Sequence, residues 1–160
     1  MYVYLAGPDV FSPDALERAE AARRLCRQYG FEPLNPADHH ESDPARICQA
    51  NLAMIKRCQV VIANLDSFRG AEPDSGTCFE VGYATALGKK TVGYCCPLQT
   101  TVERVALSER RRITGLDPKD QNGWAIENFG LSANLMLACT MTIIEGDLEK
   151  ALQHLRPRPV

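Results

Sequence analysis

QVVIANLDSFRGAEPDSGTCFEVGYATALGKKTVGYCC, residues 59–96, decides the fold. It opens with a continuous apolar run, residues 60–65, the pattern of a strand covered on both faces. A stretch rich in acids, glycine and proline follows over 66–76. A helix is expected over 75–88, capped by Asp74 or Ser75 and stopped by Gly88. Residues 91–96 then form a second strand. Strand, helix and strand at this spacing is the crossover unit that parallel neighbours in a sheet require.

The rest of the chain repeats that alternation. YVYLAG (2–7) reads as a first strand ending in Gly-Pro. Residues 13–29 read as a helix with Ser12 as N-cap, Pro13 in the first helical position and Gly30 as the stop. Its expected inner stripe is Ala15, Leu16, Ala19, Ala22, Leu25 and Cys26. A short strand follows within 31–36, then an amphipathic helix over 43–57 through Ile47, Asn51, Leu52, Met54 and Ile55. The polar, arginine-rich stretch 99–123 reads as a loop or a short helix. Residues 126–140 read as a helix, 142–146 as a last strand and 147–155 as a final helix. The expected fold class is α/β: a single domain over 1–155, with a parallel sheet of about five strands, helices on both faces and a disordered tail at 156–160. Such sheets bind ligands beyond the carboxyl ends of their strands, near a topological switch point.

Composition narrows the function. A chain of 160 residues fits one core. Its net charge of -2 offers no basic field to a nucleic-acid polymer, so a small ligand is the default partner. No apolar run approaches the roughly 20 residues of a membrane span, and MYVYLAGPDVF (1–11) lacks the basic flank of a signal peptide. Neither G-x-G-x-x-G after the first strand nor a P-loop lysine motif occurs, so no dinucleotide or NTP cofactor is expected. Seven cysteines, an odd number without a C-x-x-C pair, read mostly as buried thiols in a reducing cytosol. Cys95-Cys96 is a weak redox candidate. His39 and His40, followed by Glu41, lack a third ligand at useful spacing, so no metal is expected.

Glu80 asks for an explanation. It stands among Cys78, Phe79, Val81 and Gly82 near the start of a helix expected to be buried. Burying a carboxylate without partners is costly. The helix N-terminus is expected to keep it ionised. A rigid, partly desolvated carboxylate suits attack on an electrophilic carbon; the alternative is a buried structural ion pair. Asp74, six residues earlier, can face the same pocket, and paired carboxylates are the logic of glycosyl transfer. Any D-x5-E would match, so the spacing alone is not specific. Gly7 and Pro8 permit close backbone approach to a ligand, or form a simple tight turn. Asp66 either faces the ligand or pairs with Arg69 to hold its loop.

YLAGPDVF (4–11), NLAMIKRCQVVIANLDSFRGAEPDSGTCFEVGYATALGKKTVGY (51–94) and ENFGLSANLML (127–137) resemble the nucleoside 2-deoxyribosyltransferase family over most of residues 1–140. The specific block is ANLD-x-FRG-x-EPDSGT-x-FE-x-GYA. The resemblance implies a flavodoxin-like (Rossmann-like) fold, and exchange of the base of a 2'-deoxynucleoside for a free nucleobase with retention. It implies Glu80 as nucleophile, Tyr4 on the first strand orienting it, Asp74 near the sugar 5' end and Asn51 facing base and sugar. Gly7, Pro8, Phe11, Asp66 and Gly76 are the remaining expected substrate contacts. Asn134 and Met136 would reach the 5'-hydroxyl in a neighbouring subunit's site, which implies a dimer-based homo-oligomer, a tetramer or hexamer. The expected helix 126–139 is apolar on more than one face, in keeping with a subunit contact. Related nucleotide N-hydrolases place a small hydroxyl residue near the 5'-phosphate; a carboxylate at Asp74 would repel phosphate and favour nucleosides. No cofactor is implied, and the implied setting is cytoplasmic nucleobase salvage. Cys95-Cys96-Pro97 and the stretch 97–123 depart from the family pattern. On the same scaffold, an N-ribohydrolase would transfer to water, and a non-catalytic nucleoside-binding module would not need Glu80.

Overall fold

Val60, Val61, Ile62 and Ala63 are each at most 3% exposed, so β3 (Val60–Asn64) is covered on both faces. The computed structural model, which describes residues 1–38 and 41–156, places this strand at the centre of a five-stranded parallel sheet. The other strands are β1 (Tyr2–Ala6), β2 (Glu32–Leu34), β4 (Lys90–Cys95) and β5 (Thr142–Glu145). Their order is β2-β1-β3-β4-β5, that of flavodoxin-like sheets, with the switch point between β1 and β3. The register sets Tyr4 beside Val61, Ala6 beside Ala63 and Ala63 beside Gly93.

Strand side chains alternate between faces, and two cores result. Tyr4, Ala6, Val61, Ala63 and Leu65 pack with Ile55 of α2 (Pro44–Arg57), Val81 and Ala84 of α3 (Ser75–Ala86) and Leu137 of α5 (Leu135–Ala138). Val3, Val60, Ile62 and Val92 pack with Cys26 of α1 (Ala15–Gln28) and Leu152 of α6 (Leu148–Leu155). The element α4 (Thr101–Ser108) opens with a reciprocal capping box between Thr100 and Glu103. At Gly93 a Cβ would fall 2.5 Å from Leu65 Cδ1, so only glycine lets that side chain lie flat on β4. Among the described residues no helix is long and apolar enough to cross a membrane.

Several expectations are corrected. The helix over 126–140 shrinks to Leu135–Ala138. Gly130 turns the chain with φ 70, and Asn134 starts the helix by accepting from the Met136 amide. The first helix begins at Ala15, after Asp14, because Ser12 instead closes a 3-10 turn over Pro8–Phe11. Leu16 leaves the inner stripe and is 73% exposed. Of the cysteines, all free, Cys26, Cys58 and Cys95 are buried, whereas Cys48, Cys96 and Cys139 are exposed. Cys95 and Cys96 point to different environments because consecutive residues at a strand end alternate. The expected tail lies outside the described residues beyond Arg156, as do His39 and His40.

Candidate active site

Tyr4 is fully buried, yet carries a hydroxyl that must find an acceptor. It donates to Glu80 Oε1 at 2.5 Å. Asn51 donates its Nδ2 to the same oxygen at 3.4 Å. The helices explain this meeting. Ile55 is fully buried and fixes the inward face of α2, and Asn51 lies one turn earlier on that face. Val81 and Ala84 are fully buried and seat α3, and Glu80 adjoins that stripe. So β1, α2 and α3 bring three side chains separated by up to 76 residues to one point. Oε1 takes both donors, while Oε2 has no hydrogen-bond partner among the described residues.

Burial pushes the Glu80 carboxyl up to about 7. The Tyr4 bond works against that shift, the Asp74 charge adds to it, and the Asn51 bond again opposes it. This reverses the expectation that the helix N-terminus keeps Glu80 ionised. Glu80 sits in the second turn, past the reach of the terminal dipole, and desolvation prevails. The Tyr4 hydroxyl is itself pushed far up, first by burial and then by the Glu80 charge, so it stays a donor.

Asp74 is the N-cap of α3: its Oδ2 accepts from the Thr77 amide at 2.8 Å and the Thr77 hydroxyl at 3.0 Å. A Cβ on Gly76 would lie 3.1 Å from that oxygen, so the small residue leaves the cap room. The Asp74 charge is felt at Glu80, while its Oδ1 has no partner among the described residues.

The other expected contacts are not brought to Glu80. Pro8 opens the 3-10 turn, and Phe11 at its end stacks on Phe68 with ring centroids 5.5 Å apart. Asp66 does not pair with Arg69. Its Oδ1 accepts from the Cys96 amide at 2.9 Å, and the Arg69 guanidinium lies over the Phe11 and Phe68 rings. Gly7 and Asp66 line a cavity on the α1/α6 side of the sheet, away from Tyr4. Asn134 donates to Glu127 at 2.7 Å, and with Met136 it borders a cavity of about 720 Å³ between α3 and α5.

Sequence reasoning missed Arg104. It is 4% exposed, donates to the Leu65 carbonyl at 2.8 Å just before Asp66, and leaves its Nε without a partner among the described residues. The readable signal was the Thr100-x-x-Glu103 capping box, which places Arg104 on a helix rather than in a solvated loop.

The family model for nucleoside 2-deoxyribosyltransferase matches residues 3–136. The structure resembles that of a 2-deoxyribosyltransferase from Leishmania mexicana, with TM-score 0.79 and 32% identity, over 97% of this chain and 99% of that one. A CMP N-glycosidase from Clostridium botulinum shares the fold, with TM-score 0.53 and 19% identity over 97% and 98% of the two chains. An uncharacterised protein of Schizosaccharomyces pombe is 30% identical over 156 residues, 84% of this chain and 74% of its own length. The match runs through Tyr4, Asn51, Asp74 and Glu80 and takes in most of the chain, and the protein belongs to the nucleoside 2-deoxyribosyltransferase family.

Proposed function

We propose that the chain exchanges the base of a 2'-deoxynucleoside for a free nucleobase through a covalent deoxyribosyl–Glu80 intermediate. One observation carries this reading: Glu80 holds one oxygen in two hydrogen bonds and leaves the other without a partner among the described residues. Oε2 attacks C1', the bond from C1' to the base nitrogen breaks, and its electron pair leaves with the base, which takes a proton from water or an acid. A nitrogen of the second base then attacks C1' and displaces Glu80. Two inversions give retention. Tyr4 and Asn51 fix the carboxylate before substrate arrives, so little orientational freedom remains to be lost at attack. Asp74 faces the sugar 5' end and disfavours a phosphate there. Asn51 faces the base and sugar, and Pro8, Phe11 and Gly76 shape the rest of the substrate's surroundings.

The enzyme works as a dimer-based homo-oligomer in which Asn134 and Met136 complete a neighbouring subunit's site. Support comes from the cavity that both border and from its mostly apolar surroundings, Cys78, Gly82 and Leu137 among them. Its setting is nucleobase salvage in the cytoplasm.

The test is a two-base incubation: 2'-deoxyinosine with free adenine, and thymidine with free adenine, followed by chromatography, with Glu80→Ala as control. Deoxyadenosine formed by the wild type and lost in the variant is the expected result. Free base without deoxyadenosine moves the reading to the N-hydrolase. No reaction in either tube overturns the enzymatic reading.

A further inference from the structure

At their carboxyl ends β3 and β4 part by an exchange of hydrogen-bond partners. The parallel ladder runs through Asn64 beside Tyr94, and the Leu65 amide still donates to the Tyr94 carbonyl at 2.8 Å. In a parallel pair the next bond would run from the Cys96 amide to the Leu65 carbonyl. Two side chains take its place. The Cys96 amide donates to Asp66 Oδ1 at 2.9 Å, and the Leu65 carbonyl accepts from Arg104 Nη1 of α4 at 2.8 Å. Both backbone groups stay satisfied while the strands separate.

Arg104 is a costly device for one carbonyl. It is 4% exposed, forms no ion pair among the described residues and leaves its Nε without a partner. Desolvating a guanidinium without a carboxylate is unfavourable, and an apolar side chain of similar volume would pack there at less cost. Packing therefore does not account for it. What the exchange sets is direction. The chain leaves the sheet at Asp66 and reaches the N-cap of α3 at Asp74. In between, the Phe68 amide donates to the Glu72 carbonyl at 2.9 Å, the Ser67 hydroxyl donates to the Ala71 carbonyl at 3.0 Å, and Phe68 stacks on Phe11. A loop closed on itself in this way moves as one piece, and the buried Pro73 joins it to Asp74. The angle of departure at Leu65 and Asp66 is thus passed on to Asp74. The first turn of α4 holds a second segment as well: the Thr101 amide donates to the Leu131 carbonyl at 2.9 Å, three residues before Asn134.

We propose that Arg104 is a positioning residue for Asp74: by taking the Leu65 carbonyl out of the ladder, it sets where the loop 66–73 delivers the Asp74 carboxylate and so how the sugar 5'-hydroxyl is held. This rests on the transferase reading for the place of Asp74 at the 5' end. Arg104 touches no substrate and acts through the loop. Without its guanidinium the Leu65 carbonyl is free to accept from the Cys96 amide, and the ladder gains a rung. One residue of strand is a rise of about 3.3 Å, and even a third of that shift breaks a hydrogen bond to the 5'-hydroxyl.

The test compares kcat/KM for 2'-deoxyinosine with that for 2',5'-dideoxyinosine, each with adenine as acceptor. Their ratio is independent of how much enzyme is folded, so lost stability alone leaves it unchanged. The wild type should favour the 5'-hydroxyl at least about tenfold, as a hydrogen bond to a carboxylate allows. Arg104→Met, which keeps the bulk and loses the donor, should lower the ratio several-fold. Arg104→Lys, whose ammonium can still donate to Leu65, should keep more of it. Asp66→Ala frees the Cys96 amide from the other half of the exchange and should lower the ratio too. Thermal melts identify a variant that fails to fold, and the other then decides. If the wild type exchanges no base, the transferase reading falls, and the ratio is read as calorimetric affinities of the two nucleosides for Glu80→Ala with and without Arg104→Met. An unchanged ratio in both Arg104→Met and Asp66→Ala, no preference for the 5'-hydroxyl in the wild type, or no binding of either nucleoside would each overturn the proposal.

Discussion

At the scale of the residue, Glu80 has conflicting demands placed on it. The proposed attack requires the ionised carboxylate, and burial favours the neutral one. The kcat/KM for base exchange should therefore climb as pH rises through about 7. Tyr4→Phe removes a bond that lowers the Glu80 pKa, so the same limb should move to higher pH; a limb that stays in place would show that Tyr4 does not tune Glu80. Stability carries the opposite sign. The folded pKa lies above the ordinary value of 4.5, so the folded state keeps a proton that the unfolded chain has lost between pH 4.5 and about 7. The stabilisation from this group is full below about 4.5 and gone above about 7. Glu80→Gln stays neutral throughout. It should match the wild type near pH 4.5 and exceed it by up to roughly 3 kcal/mol at about pH 8. Urea unfolding at the two pH values measures this, and no gain at the higher pH would mean that partners already compensate the buried charge.

At the scale of the element, α3 begins on a residue with two tasks. Asp74 caps the helix through Thr77 and faces Glu80 with its charge. Asp74→Ser keeps a capping oxygen and removes the charge, so stability should change by less than about 1 kcal/mol. Activity on a 5'-monophosphate relative to the nucleoside should rise, and an unchanged ratio in a competition assay would refute Asp74 as the phosphate filter. Cap chemistry of this kind is local, which is why α2, α3 and the central strands were legible from their residues. It misleads where two capping residues adjoin. Ser12 and Asp14 both qualify, and only the 3-10 turn before them selects Asp14. The segment 126–140 misled for another reason: its apolar residues fit a helix, but Gly130 at positive φ and Asn134 as a cap leave one turn. The meeting of Tyr4, Asn51 and Glu80 was not legible from spacing at all. It depends on the parallel register and on which helix face is buried, and only the family motif pointed to it from sequence.

At the scale of the whole molecule, the sheet order divides the carboxyl edge into two sides, with Glu80 on one and the cavity lined by Gly7 and Asp66 on the other. The helix α3 covers the first side and is apolar or small on nearly every face. One face packs on the sheet; the other leaves Phe79 60% exposed, and Met136 of α5 is 68% exposed. An exposed apolar face of this kind is where a second copy would dock in the proposed assembly. The arrangement makes a sharp prediction for mixed oligomers. In the proposed assembly, Glu80→Ala has no nucleophile, and Asn134→Ser, which still caps α5, lacks the amide for its neighbour. Each variant alone should be nearly inactive. In a mixed dimer, the subunit with Glu80 intact receives an intact Asn134 from its partner, so one of the two sites works. After subunit exchange, an equal mixture should recover roughly a quarter of wild-type base exchange. Recovery requires both the assembly and the donated residue, whereas a mixture no more active than its parts would place the complete site within one chain.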